Sequence, residues 1–270
     1  MAVKALLHYA LEIPDQTVGE KFYTGFGLVD EPGRDGAVHL RPAPLKRETV
    51  LLYGGPKKRL HHVAFGAPGA EFEATRESLR RAGVTQIDPP PALNSPGHTS
   101  RIATRGCPDR FEARPRRLGH VLLFSGDLER MIDFYTRVLG MKLSDRCPGI
   151  IAFLRCTPDH HNLALLASKG PGFHHGSFEV GGVDEIAMGM QRAHDAGIPM
   201  GWGLGRHVIG SNFFYYVRDP WGSWAEYFHD LDHIPETCAW QPRDFAPEDA
   251  LYRWGPPVPE DFGLNRELEG

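Results

Sequence analysis

Two stretches of this chain are copies of one another, and that duplication limits the folds open to it. FYTGFGL at residues 22–28 and FYTRVLGM at 134–141 share an aromatic pair and a glycine stop. Around each lies the same spaced set of polar residues. In the second half these are His120, His175 and Glu226, separated by 55 and 51 positions; in the first half they are His8, His62 and Glu112, separated by 54 and 50. An offset of 112 to 114 residues implies two related halves rather than one irregular domain. Two imidazoles and one carboxylate form a facial ligand set that leaves several positions of a divalent metal open, the arrangement found in non-haem Fe(II) sites.

Each half reads as strands and amphipathic helices in the order βαβββ. In the second half, His120–Ser125 is a strand, and Asp127 stands where an N-cap would precede LERMIDFYTRVLG. Met131, Phe134, Tyr135 and Leu139 share a helical face there, and Gly140 ends the helix. MKLSDR, GIIAFLR and HNLALLA follow as strands. The next unit opens with HHGSFEVG, continues into the helix VDEIAMGMQRAHDAG, and closes with strands near 199–204, 212–217 and 223–228, the last two joined by the turn Asp219-Pro220-Trp221-Gly222. LLHYALEI, QTVGEKFYTGFG, LHHVAFGA and GAEFEATRESLRRAG trace the same plan in the first half. Residues 87–100 read as a proline-rich loop and 106–117 as the linker. From Asp230 onward the chain reads as an extended tail, anchored by Trp240, Tyr252 and Trp254.

Composition narrows the function classes. A net charge of −4 argues against a nucleic-acid surface, which needs concentrated Lys and Arg. The short basic clusters Lys57–Arg59 and Arg114–Arg117 read as solvated loop charge. Four scattered cysteines make no disulfide framework, and no apolar run approaches the about 20 residues of a membrane span. MAVKALLHYALEIPDQ is unlike a signal peptide. A cytoplasmic protein is the expectation.

The segments GHVLLFSGDLERMIDFYTRVLGMKLSD, DHHNLALLA, FHHGSFEV and LGRHVIGSNFFYYVRDPWGSWAEYF, spread over residues 118–230, resemble the type I extradiol ring-cleaving dioxygenases of the vicinal oxygen chelate superfamily. The GRH and FxYxxDPxGxxxEY elements carry most of the specificity. The resemblance implies an α+β fold of two tandem domains, 1–113 and 114–270, each of paired βαβββ modules curled into a half-open, funnel-like barrel. The first would be non-catalytic; the second would be catalytic and end in the extended tail, about 231–270. By position His120, His175 and Glu226 resemble the iron ligands. His161, fourteen residues before His175, matches the pocket histidine, with His160 as the alternative decided by strand parity. His207 and Tyr216, 19 and 10 residues before Glu226, match the other two residues around the metal, and Phe153 matches an apolar residue beside the substrate.

Such a site would bind a catechol-type diol and O2 at Fe(II), with Mn(II) as an admissible substitute, and open the ring beside the two hydroxyls in aromatic-compound catabolism. An imidazole suits the proton transfer, and Tyr216 and His207 could hydrogen-bond the diol oxygens. Homo-oligomers are common in the family. The runner-up readings are a metal-dependent glyoxalase- or epimerase-like member of the superfamily, which generally needs a further carboxylate ligand, and a ligand-sequestering protein on the same fold. In the first half, the positions equivalent to His161, His207 and Tyr216 fall on or near Glu48, Leu93 and Ile102. His8, His62 and Glu112 therefore read as a second metal site without proton-transfer partners, or as a relict of one. His39, His98, His174 and His194 read as structural or exposed.

Overall fold

The computed structural model describes residues 3–33, 35–85 and 113–269. It is an α+β fold dominated by two sheets. The first half runs β1 (Ala5–Ile13), α1 (Gln16–Phe26), β2 (Val29–Glu31), β3 (Val38–Arg41), β4 (Val50–Gly54), β5 (Arg59–Gly66) and α2 (Gly69–Arg81), with sheet order β2-β3-β4-β1-β5. Asp15 caps α1 by accepting from the amides of Thr17 and Val18, and Gly27 ends it with φ 112°. The loop 87–100, the greater part of the linker, Cys107 and Glu112 lie outside the described residues.

The second half contains two full βαβββ modules. The first is β6 (Arg117–Ser125), α3 (Leu128–Asp133), β7 (Lys142–Cys147), β8 (Ile151–Arg155) and β9 (Leu163–Ala167). The second is β10 (Gly172–Glu179), α4 (Val183–Asp195), β11 (Met200–His207), β12 (Phe213–Arg218) and β13 (Trp224–His229). The tail adds β14 (Arg243–Asp244), a helical turn at Pro247–Ala250 and β15 (Tyr252–Trp254). The sheet order is β14-β7-β8-β9-β6-β10-β13-β12-β11-β15, so the tail strands close both edges and satisfy backbone groups that would otherwise be open to another chain.

Asp127 caps α3 as its sequence suggests, accepting from the amide of Arg130. The single helix read over LERMIDFYTRVLG is corrected in one respect: after Asp133 it widens into a π-helical turn, Phe134–Val138. The extra residue in that turn keeps both Phe134 and Tyr135 against the core, where their rings meet edge to face at 5.3 Å.

The halves share one core. Tyr9 of β1 stacks on Phe173 at 4.8 Å, and Phe26 of α1 stacks on Tyr227 of β13 at 4.0 Å. Gly176 permits the first approach, since a Cβ there would sit 2.4 Å from the Tyr9 ring. Lys58, buried before β5, reaches Glu267 at 3.1 Å, the Phe173 carbonyl at 3.3 Å and the Ser223 hydroxyl. Glu267 also accepts from the amides of Leu60 and Phe173, each at 3.0 Å, so one carboxylate ties the two sheets and the tail together.

These contacts correct the reading of the basic clusters as solvated charge at Lys58, Arg116 and Arg117, while Lys57, Arg59 and Arg114 are exposed as that reading has them. Lys58 is buried, Arg116 pairs with Glu185, and Arg117 pairs with Asp159 and Glu179. They sit at strand starts where the chain enters the core, which linear charge patterning does not reveal. Among the described residues no helix is long and apolar enough to cross a membrane, and Cys147, Cys156 and Cys238 are free.

Candidate metal centre and substrate cavity

Three neighbouring strands bring the second-half trio together. β6 pairs antiparallel with β10, placing His120 opposite Ser177; β10 pairs parallel with β13, placing Ser177 beside Glu226. His175 is two residues from Ser177, and residues i and i+2 of a strand share a face. All three side chains therefore reach the concave face. His120 Nε2 lies 3.1 Å from Glu226 Oε2 and His175 Nε2 lies 3.4 Å from it. The ligand-type atoms of His120, His175 and Glu226 all fall within 4.8 Å of one another, and no other such group of three occurs among the described residues. All three residues are buried.

Burial alone would raise the Glu226 carboxyl, but the adjacent His120 and His175 imidazoles hold it well below the usual carboxylate range. Burial lowers His175 against the opposing pull of Glu226. This donor set fits a divalent cation. His175 Nε2 is buried and forms no hydrogen bond within the chain, and a buried polar atom left so costs free energy unless a further partner satisfies it. Glu226 Oε1 is already occupied, accepting from Asn212 Nδ2 at 3.2 Å, which leaves Oε2 toward the two imidazoles.

The remaining expected residues surround this trio. The His161 ring lies 4.3 Å from that of His120 and 4.9 Å from that of Phe153 on β8. It sits two residues ahead of β9 rather than on a strand, and is buried. Burial, with His120 and His160 beside it, pushes His161 well below the ordinary imidazole value. Tyr216 pairs with Glu226 across β12 and β13, and its hydroxyl lies 3.0 Å from His207 Nε2. His207 Nδ1 lies 2.7 Å from the Leu251 carbonyl. A carbonyl only accepts, so Nδ1 carries the proton and Nε2 receives the Tyr216 hydroxyl's. Burial lowers His207 to about 4 and raises Tyr216 well above the ordinary phenol value, Glu226 adding to the latter.

A cavity of about 350 Å³ opens beside the trio, lined by His120, His161, His175, His207, Tyr216 and Phe153 and walled by aliphatic side chains. The tail forms its outer wall through Leu251, Val258 and Phe262. The Phe262 ring packs on Trp202 at 4.6 Å and Tyr216 at 5.0 Å, held by Asp261, which pairs with Arg218 at 2.8 Å and Arg266 at 2.7 Å. Trp240 does anchor the tail, donating to the Ser144 carbonyl at 2.8 Å, Tyr252 meets Trp202 at 5.7 Å, and Trp254, though 46% exposed, pairs with Arg206 of β11 and meets the Phe213 ring at 6.0 Å. Sequence reading missed Asn212, Leu251 and Phe262. Asn212 had a signal, sharing strand parity with Tyr216; the tail residues had only their apolar character in a proline-rich stretch.

In the first half, His8 Nε2 and His62 Nε2 approach to 2.9 Å at the equivalent place on β1 and β5. The third residue of that set, Glu112, lies outside the described residues. Burial, with His62 next, lowers His8 to about 4.

Residues 117–227 match the Glyoxalase/Bleomycin resistance protein/Dioxygenase superfamily. Metapyrocatechase 2 of Cupriavidus necator is 39% identical over 98% of this chain and 93% of its own. The iron-dependent extradiol dioxygenase of Rhodococcus jostii (strain RHA1) is 26% identical over 99% and 100%. The crystal structure of the Mn(II)-bound glyoxalase from Novosphingobium aromaticivorans superposes with a TM-score of 0.83 at 25% identity, covering 96% of this chain and 93% of that one. Fold and pocket thus define a vicinal oxygen chelate protein with a metal-type centre. Within that superfamily, the chain belongs to the extradiol ring-cleaving dioxygenases.

Proposed function

We propose that this protein opens the ring of a catechol-type diol with O2, beside the two hydroxyls, at a divalent metal held by His120, His175 and Glu226. The observation that carries this reading is the convergence of those three buried side chains at the floor of a cavity whose walls also present His161, His207 and Tyr216. We take residues 114–270 as the catalytic unit and 1–113 as the non-catalytic one. When bound, the metal supplies electron transfer between the chelated diol and dioxygen. Fe(II) is our assignment, supported by the ligand set and by the iron-dependent relative; Mn(II) shares those ligand preferences.

The chain's own residues bind, orient and move protons. Phe153 and the aliphatic walls hold the ring and exclude water. Tyr216 and His207, joined by their hydrogen bond, face one diol oxygen, and His161 across the cavity exchanges the proton of the other. Among the described residues no Lys or Arg lines the cavity, whose wall is otherwise Ile150, Ile151, Leu166, Ile209 and their neighbours, with Glu260 as a further acidic residue. An uncharged, hydrophobic ring substituent is therefore favoured over a carboxylated one.

The likeness to a Mn(II)-bound glyoxalase favours, as a second reading, metal-assisted isomerisation of an enediolate. Chemistry of that kind generally uses another carboxylate at the metal, and among the described residues Glu226 is the single carboxylate in the cluster. Anaerobic loading with Fe(II), addition of catechols, then admission of air separates the two. Oxygen uptake with a yellow ring-opened product supports dioxygenation. Loaded protein that takes up no oxygen with any of a panel of plain, alkyl- and aryl-catechols rules it out.

A further inference from the structure

Histidines come in consecutive pairs at 61–62, 160–161 and 174–175, and in each pair the two Nδ1 atoms face one another, at 2.7, 3.0 and 2.7 Å respectively. Such a bond requires one Nδ1 to carry a proton and the other to be bare. Which is which follows from what the outer ring's Nε2 touches. His174 Nε2 lies 2.7 Å from the Phe262 carbonyl, which can only accept. A neutral His174 therefore has its proton on Nε2 and a bare Nδ1. That Nδ1 accepts from His175, whose own Nε2 is left bare toward Glu226.

His160 repeats the arrangement. Its Nε2 lies 2.8 Å from Asp145 Oδ2, and Asp145 Oδ1 accepts the Arg243 amide at 2.7 Å. Asp145, His160 and His161 are all buried, and Trp240 of the tail meets the His160 ring at 5.9 Å. The carboxylate takes the His160 Nε2 proton, His160 Nδ1 accepts from His161, and His161 Nε2 is left bare. In the first half the chain of bonds has no such end: His61 is exposed and stacks on Tyr53 at 4.8 Å, and among the described residues no oxygen pins its Nε2.

We propose that His160 and His174 are positioning residues which, with Asp145 and the Phe262 carbonyl, hold the protons of His161 and His175 on Nδ1, so that both inner rings present a bare Nε2 to the cavity. The His175 nitrogen is then available to a metal without losing a proton, and the carbonyl behind it strengthens it as a donor. The His161 nitrogen is set to receive. A diol O–H bond breaks and an Nε2–H bond forms, the Nδ1 proton stays shared with His160, and Asp145 balances the charge until the same proton is handed back. The tail is thereby part of the site's chemistry as well as its wall.

The reading rests on the proposed metal-dependent diol oxidation, but its test does not need turnover. In the full-length protein, histidine labelled with 15N and loaded with diamagnetic Zn(II), nitrogen chemical shifts report which ring atoms carry protons. We expect Nδ1-protonated rings at His161 and His175. An Nε2 proton on His161, as an Asp145 carboxylate paired with a doubly protonated His160 would produce, overturns the proposal. Asp145→Asn sharpens the test. The Arg243 amide holds the Asn oxygen, which turns its NH2 toward His160; that donor reverses every proton along the chain and puts one on His161 Nε2. Turnover of the iron-loaded variant should fall about 10²-fold, with metal content unchanged. Unaltered tautomers in a folded Asp145→Asn protein would also refute it. His174→Phe should weaken Zn(II) affinity about 10- to 100-fold; an unchanged affinity contradicts the second arm. Should the tautomers stand while no catechol is opened, the diol-oxidation reading fails and the positioning stands.

Discussion

The two halves carry the same three ligand types at nearly the same spacing, yet the cavity that gathers His161, His207 and Tyr216 opens beside the second set. His120, His175 and Glu226 lie on adjacent strands, buried, with Asn212, Tyr216, His207 and His161 around them. His8 and His62 also meet, at 2.9 Å, but β5 is largely half-exposed, Glu48 stands at the position of His161, and among the described residues His61 has no acceptor like those that pin His160 and His174. Strand geometry alone can preserve a ligand pair across a duplication. What differs is the surrounding polar network and the tail that covers it, and those are what make a ligand pair chemically useful.

The comparison breaks most sharply at the ligands. Glu226→Ala and His175→Ala should each lower oxygen uptake with catechol to background, whereas His8→Ala combined with His62→Ala should leave it within about twofold of the parent protein; oxygen-electrode assays on iron-reconstituted variants decide this. Next in size is His161→Ala, which should slow turnover about 10²- to 10⁴-fold while metal analysis shows the iron retained. Loss of iron would instead place His161 among the ligands.

Smaller effects concern how the halves are held together. Glu267→Ala leaves buried Lys58 without its carboxylate and frees the amides of Leu60 and Phe173, so the urea midpoint should fall by the equivalent of about 3 kcal/mol. The smallest effect is acid sensitivity. His8, lowered to about 4 chiefly by burial, binds its proton more weakly folded than unfolded. Its contribution is fully present above about pH 6.5 and is lost as pH falls toward about 4. In the metal-free protein His8→Phe should therefore flatten the decline of the unfolding midpoint between pH 7 and 5; a decline as steep as the parent's would mean that His8 is already protonated or exposed.

Much of this was legible in the chain. The duplicated spacing points to His120, His175 and Glu226, the family resemblance adds Tyr216 and favours His175 over His174, and Asp127 announces its helix through its capping oxygen. Three things were not. The π-helical turn at Phe134–Val138 follows from tertiary packing of two aromatic rings, which helical periodicity does not encode. Lys58 and Arg117 look like loop charge because their partners Glu267, Asp159 and Glu179 are distant in sequence. Phe262 and Leu251 lie in a proline-rich tail without periodicity, and act partly through backbone carbonyls, which no side-chain pattern reports.

The central claim is that a single metal sits in the second half, and counting it is the direct test. Metal-free protein titrated anaerobically with Fe(II) and analysed by mass spectrometry after desalting should retain about one metal per chain, a number unchanged by replacing His8 and His62 and abolished by replacing Glu226. Two metals per chain, or one that survives Glu226→Ala and disappears with His8 and His62, would contradict the account.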